Sequence, residues 1–214
     1  MKIPKHIGII PDGNRRWANN LGMAKEEGYA AGLDPGMQLF KLCQEQGIEE
    51  LTYYGFTTDN TKRPSVQTKA FTDACINAVK MLTKENASLL VLGNTESPMF
   101  PQELLPFTKR QSFGDGRTRV NFLVNYGWHW DLGEMIKTGD GVKSNYFGGL
   151  QSKDISRIDL IIRWGGRRRL SGFLPAQSVY SDFYIIDDYW PDFRPQHLYD
   201  ALSWYEQQDV TLGG

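Results

Sequence analysis

Cysteine is scarce in this chain: Cys43 and Cys75 are the only two among 214 residues, and they form no metal-like pairing. Such usage suits a reducing compartment in which thiols stay free, so a cytosolic protein is expected. Long apolar runs are also missing. None approaches the ~20 residues of a membrane span, and the first 14 residues, MKIPKHIGIIPDGN, lack a secretory apolar core. A protein that at most touches a bilayer peripherally is the expectation. Charge of one sign is absent too, because 24 basic residues face 25 acidic ones for a net charge of -1. No global attraction to nucleic acid follows, and any anion site must be local. There is no internal repeat, no low-complexity tract and no linker.

What is present is enough apolar material for a sizeable core, with 40% hydrophobic and 13% aromatic residues. Short apolar runs at 6–10, 51–56, 88–92, 119–124, 158–162 and 183–186 read as six buried strands. Between them, 26–46, 65–84, 101–112 and 127–136 space their apolar residues three or four apart, as helices do. Asp34-Pro35-Gly36 should bend or interrupt the first of these. Strands alternating with helices predict an α/β fold, a single domain over residues 1–214 with a central, largely parallel six-stranded sheet flanked by helices. Ligands of such sheets gather beyond the carboxyl ends of the strands.

Two segments at such ends carry chemistry. After the first strand comes Pro11-Asp12-Gly13-Asn14-Arg15-Arg16-Trp17. A glycine turn opening a helix offers unpaired N–H groups and the positive end of the helix dipole to a phosphate, and Arg15, Arg16 and Lys25 add charge. Asp12 has two readings, a helix cap or a carboxylate that holds Mg²⁺ against a diphosphate. After the fifth strand comes Arg163-Trp164-Gly165-Gly166-Arg167-Arg168-Arg169-Leu170-Ser171. Four guanidinium groups and two glycines suit phosphate oxygens, the alternative being a solvated basic loop. Asp187-Asp188 imitates an Asp-rich magnesium motif, but Trp190-Pro191 interrupts any helix that could align the carboxylates, so a turn is expected there.

These motifs resemble those of the cis-prenyltransferases, the undecaprenyl diphosphate synthase family. Residues 11–17 are similar to its Met-Asp-Gly-Asn-Gly-Arg-Trp, and Gly28-Tyr29-Ala30-Ala31-Gly32 to its Gly-His-x-x-Gly. Phe56-Thr57-Thr58-Asp59-Asn60 with Arg63-Pro64 resembles Phe-Ser-x-Glu-Asn-Trp-x-Arg-Pro. The arginine loop resembles Arg-Thr-x-Gly-Glu-x-Arg-x-Ser, and 177–184 resembles Gln-x-x-Tyr-x-Glu-x-Tyr. The resemblance implies a cis-prenyltransferase fold and a magnesium-dependent enzyme of isoprenoid biosynthesis. Such an enzyme condenses an allylic diphosphate with isopentenyl diphosphate, and family members are commonly homodimers. It makes Asp12 and Asn14 catalytic and Asp12 and Asp182 the metal-associated carboxylates. Gly13, Arg15, Arg16, Lys25 and Arg63 would bind the allylic diphosphate. Arg163, Arg169 and Ser171 would bind the second, with Arg167, Arg168 and Gly213 as further candidates. Trp17, Tyr29, Phe56, Thr57 and Asn60 would line the substrate.

Five positions depart from the family pattern. Tyr29 replaces a histidine, Thr61 a tryptophan, Trp164 a threonine and Arg167 a glutamate, and the Arg-x-Gly ending becomes Thr211-Leu212-Gly213. Ordinary divergence, with Lys25 and Arg168 compensating, is one explanation. The other is a different acceptor, which would make the chain an allylic-plus-allylic synthase or an enzyme that only ionises prenyl diphosphates. A non-catalytic regulatory subunit is a third possibility, one the intact Asp12-Gly13-Asn14 and Arg16 argue against. The chain is shorter than long-product relatives around 138–152, which points to a short or medium product.

Overall fold

A computed structural model of the chain describes residues 2–138 and 149–209. Seven strands form one sheet: β1 His6–Ile10, β2 Glu50–Tyr54, β3 Ala87–Leu92, β4 Gln111–Phe113, β5 Thr118–Leu123, β6 Leu160–Arg163 and β7 Asp182–Ile185. Their order is β4-β3-β5-β2-β1-β6-β7. All pairings are parallel except that of β3 with β4. The six expected strands are therefore present within one or two residues at each end, and the sheet gains a short antiparallel edge strand.

Both faces of the sheet are buried, which is why the strands read as nearly continuous apolar runs. Ile7, Ile9, Leu51, Val91, Phe122 and Ile162 point to one face, against α3 Leu33–Glu45, α4 Ser65–Leu82 and α6 Pro195–Glu206. Ile10, Leu90, Leu123 and Ile161 point to the other, against Tyr126, Phe173 and Leu174. That second face is polar at its far end. There His6 Nε2 lies 2.8 Å from Thr52 Oγ1, and Asn121 Nδ2 donates to Glu50 Oε1 at 2.7 Å.

Two helix expectations need correction. Segment 26–46 divides into α2 Glu27–Ala30 and α3, with the break before Leu33 rather than at Pro35. Pro35 is the third residue of α3, where no intrahelical N–H bond is lost. Segment 101–112 is a 3-10 helix, Gln102–Thr108, followed by β4. Pro106 lies inside it and prevents the α-helical ladder its apolar spacing suggested. Two more helices, α1 Asn14–Asn20 and α5 Trp128–Thr138, follow the carboxyl ends of β1 and β5. No described helix is long and apolar enough to cross a membrane.

Candidate active site

Strands β1 and β6 are neighbours, and Ile10 pairs with Arg163. The two candidate phosphate-binding segments therefore leave the sheet side by side although ~150 residues separate them in sequence. Glycine makes the contact between them possible. Gly13 has φ 104°, and a Cβ on it would stand 2.6 Å from Tyr189 Cδ1. Gly165 has φ 80°, and a Cβ there would meet Arg16 Nη2 at 2.5 Å and the Asp12 carbonyl oxygen at 3.2 Å. Only residues without side chains let the second loop lie on the first.

Asp12 does not cap α1, whose start has no side-chain cap bond. Its Oδ1 accepts the Gly13 N–H at 2.6 Å and lies 3.5 Å from Arg16 Nη2, while its Oδ2 accepts from Arg163 Nη2 at 2.8 Å. Burial pulls the Asp12 pKa upward, but the Arg163 hydrogen bond and charge, then Arg16 and the Gly13 N–H, outweigh it and hold the carboxyl below its ordinary value. Arg163 is the more buried partner, with 5% of its side chain exposed against 33% for Asp12. Its Nη1 also donates to Ser171 Oγ at 3.0 Å and to the Arg169 carbonyl. One guanidinium thus ties the first loop to the second.

Around this pair opens a cleft of about 810 Å³. It brings together Asp12, Gly13, Asn14, Arg15, Arg16, Lys25 and Arg63 from the first group, and Arg163, Arg167, Arg169 and Ser171 from the second, with Tyr29, Thr57 and Asn60. Seven basic side chains face two acidic ones, Asp12 and Asp59, so the anion site is local, as the net charge requires. Asp59 is engaged at the rim by Lys62 at 2.7 Å. Among the described residues no three His, Cys, Asp or Glu side chains converge to hold a metal by themselves. Asp12 alone amid cations is nevertheless the donor set magnesium uses when phosphate oxygens complete its shell.

Several predicted residues lie elsewhere. Trp17 turns to the other side of α1, where its indole donates to Asp192 Oδ1 at 2.8 Å. Phe56 is fully buried and packs edge-on against Phe71. Arg168 is exposed outside the cleft lining. Asp182 begins β7 opposite Leu160, at the end of the sheet remote from Asp12, so this chain by itself does not bring the two carboxylates together. Gly213, with Thr211 and Leu212, lies outside the described residues, as does most of segment 138–152. Trp164 adds its bulk to the core rather than to the cleft, packing fully buried against Trp190, Phe193 and His197. Thr61 donates to the Thr58 carbonyl at 2.7 Å in the 3-10 turn Thr58–Lys62. The segment after β7 is a turn, as expected. Asp188 accepts from Arg194 and lies 3.0 Å from His197 Nε2, and Trp190 donates its backbone N–H to the Asp12 carbonyl at 3.0 Å.

The cleft also holds residues the sequence did not single out. Tyr54 ends β2 and donates its hydroxyl to the Ser171 carbonyl at 2.7 Å. Ser171 is in a left-handed conformation with φ 53°, so this bond holds a strained peptide beside Arg163. Tyr54 could have been found from its position at a strand's carboxyl end. Tyr189, under the Arg16 guanidinium at 5.1 Å, carries no such signal. Behind the cleft lies an apolar cavity of about 70 Å³, reached past Pro11, Asn14, Tyr29, Gly55 and Phe71. Phe71, Leu82 and Phe122 face it, whereas their neighbours Ile76, Val79 and Val124 belong to the core.

Comparison with known proteins fits this geometry. Residues 10–213 match the family model described as "Putative undecaprenyl diphosphate synthase". A ditrans,polycis-undecaprenyl-diphosphate synthase ((2E,6E)-farnesyl-diphosphate specific) of Aliivibrio fischeri is 31% identical over 229 residues, covering 99% of this chain and 89% of that protein. An isoprenyl transferase of Streptococcus thermophilus is 32% identical over 235 residues, covering 99% and 94%. Among solved structures, lavandulyl diphosphate synthase from Lavandula x intermedia in complex with dimethylallyl diphosphate superposes with a TM-score of 0.85. It is 22% identical and covers 99% of both chains.

Proposed function

The chain belongs to the undecaprenyl diphosphate synthase family and is a prenyltransferase, and from that premise we propose that it is a magnesium-dependent, short-chain prenyl diphosphate synthase. It would couple an allylic diphosphate to isopentenyl diphosphate. The observation that carries this reading is the contact between Asp12 and Arg163, which makes two phosphate-binding loops into walls of one cleft. Each loop has its own guanidinium set, so two diphosphates can be held with their prenyl groups facing one another.

Arg16, Lys25 and Arg63 hold the leaving diphosphate, and their charge stabilises it as the C–O bond breaks. Arg163, Arg169 and Ser171 hold the second diphosphate and aim its alkene at the allylic carbon. A C–C bond forms, and a proton leaves the new product for an oxygen of the departing diphosphate, since no histidine lies among the described cleft residues. Asp12 would hold Mg²⁺, which when bound neutralises phosphate charge. In the empty cleft Arg163 occupies one oxygen of that carboxylate, and a phosphate oxygen taken up by Arg163 would leave it free.

A second reading is favoured by one observation. Arg167 lines the cleft where the resembled motif has glutamate, which retunes the second site and suits a second allylic diphosphate as acceptor. The plant neighbour was solved with dimethylallyl diphosphate, and that compound is the first probe to use. Incubation with Mg²⁺ and dimethylallyl diphosphate, with and without isopentenyl diphosphate, separates the readings by product identity. Products that require isopentenyl diphosphate support the first, and products formed equally well without it support the second. No diphosphate release in either arm, with or without geranyl diphosphate as donor, refutes both.

A further inference from the structure

We infer that Tyr29, locked between Phe71 and Arg63, is the stop that restricts the donor to a five-carbon allylic diphosphate. This rests on the reading that the cleft ionises an allylic diphosphate, and it names the size of that substrate.

The cleft and the apolar cavity behind it meet at a neck whose walls include Tyr29 and Phe71. A prenyl chain whose diphosphate lies among Arg16, Lys25 and Arg63 has this cavity as the apolar space next to it, beyond the neck. The cavity holds about 70 Å³, roughly half of a cavity of ~150 Å³ that accepts one benzene. That is room for the branched end of a five-carbon chain, with its first carbons remaining in the cleft. Ten or fifteen carbons exceed that volume. Tyr53 and Phe122, stacked at 5.7 Å, line the cavity as well.

Tyr29 cannot easily step aside. Its ring lies parallel to Phe71 at 4.5 Å with an interplanar angle of 3°. Its hydroxyl accepts from Arg63 Nη1 at 2.8 Å, and Arg63 in turn lies over the Phe71 ring at 5.6 Å. Phe56 supports Phe71 from behind at 5.5 Å. Only 5% of Tyr29 is exposed. The ring is thus held on one face by stacking and at its tip by a cation that also lines the diphosphate cleft. The resembled motif carries a smaller imidazole here, so this stop belongs to this chain's own sequence.

The test uses the full chain and a series of non-ionising thiolodiphosphates bearing dimethylallyl, geranyl and farnesyl groups, with affinity read by calorimetry. Wild-type protein should bind the five-carbon analogue at least tenfold more tightly than the other two. Tyr29→Ala should narrow or invert that ratio by at least tenfold, and Tyr29→Phe, which keeps the ring, should preserve it. Should Tyr29→Ala unfold, Phe71→Ala removes the other half of the stack at a less buried position, and the same narrowing is expected. Equal affinity across the series in wild type, or a ratio unmoved by Tyr29→Ala or Phe71→Ala, overturns the inference. Failure of the proposed reaction is seen separately, as no diphosphate release from the ordinary allylic substrates.

Discussion

Replacing Asp12 by Asn should destabilise the unliganded protein and at the same time improve its grip on inorganic diphosphate. The substitution keeps the shape but removes the charge that faces Arg163 across 2.8 Å. Breaking a fully buried ion pair by removing one partner costs about 3–5 kcal/mol, and an exposed pair is worth about 0–1 kcal/mol. Here the cation is almost fully buried while the carboxylate opens to the cleft, and Arg163 keeps Ser171 and the Arg169 carbonyl as acceptors. A loss of about 1–3 kcal/mol follows, or roughly 2–12 °C in Tm for a chain of this size. The pH dependence has a definite sign. Because the folded pKa of Asp12 is depressed, its stabilisation is complete above the unfolded value of about 4 and is lost as pH falls through the folded value. The Tm gap between wild type and Asp12→Asn should therefore be constant from about pH 5 to 8 and close in stronger acid. Without Mg²⁺, pyrophosphate should raise the Tm of the variant more than that of wild type, since a competing anion has left the cradle. With Mg²⁺ and substrate, turnover should fall by about 100-fold or more. Thermal unfolding by circular dichroism and product assays read all of these. A variant as stable as wild type at neutral pH, or a gap that survives full protonation, refutes the argument that Arg163 depends on this charge.

Tyr54→Phe removes the hydroxyl that holds the Ser171 carbonyl, a bond worth about 0.5–1.5 kcal/mol. It should raise KM for the second diphosphate about 2- to 12-fold while leaving KM for the allylic diphosphate unchanged, and equal shifts in both refute a role confined to the Ser171 loop. Gly13→Ala forces a side chain into φ 104° and onto Tyr189, a strain of about 1–3 kcal/mol. Tm should drop by roughly 2–12 °C, and an unchanged melting curve would show that the loop has room to relax. Arg167→Glu restores the residue type of the resembled motif and reverses a charge at the cleft wall. Kinetics with each substrate varied in turn should show KM for the second diphosphate rising about tenfold or more, and no change would place Arg167 outside that cradle.

The fold was legible where burial is two-sided and illegible where it is not. Ile7, Ile9 and Ile10 or Leu160, Ile161 and Ile162 announce central strands because a parallel sheet hides both faces of each. Gln111-Ser112-Phe113 announces nothing, being three residues long at an edge with two of them exposed. In the site, most residues of the two motifs after β1 and β6 meet in one cleft because a segment beyond a strand end has few other places to go, Arg168 being the exception. Trp17 is not in the lining because, one residue along α1 from Arg16, its side chain is turned about 100° away and faces Asp192. Phe56 was misplaced because the motif does not tell a wall from the layer behind it. Trp164 stands inside the arginine loop's motif, yet the chain alternates sides as it leaves β6. Arg163 therefore faces the cleft, and the next residue faces the core cluster with Trp190.

The register of β1 on β6 explains why the two halves of the proposed reaction could be joined at all. Adjacent parallel strands lie about 4.8 Å apart, so Ile10 and Arg163 place both loops within one side chain's reach before any ligand arrives. That proximity creates a problem of repulsion, since seven cations line one cleft. Asp12 relieves it in the empty state by neutralising the most buried of them. A diphosphate that enters the second loop takes over this task at Arg163 and leaves the carboxylate of Asp12 without its strongest partner. On the proposed reading, the first loop would then have an anion to offer a divalent cation once the second substrate is in place. On that reading, the same ion pair that stabilises the empty cleft would link occupation of one diphosphate site to the readiness of the other. This linkage needs no movement of the sheet, only the exchange of one guanidinium between a carboxylate and a phosphate.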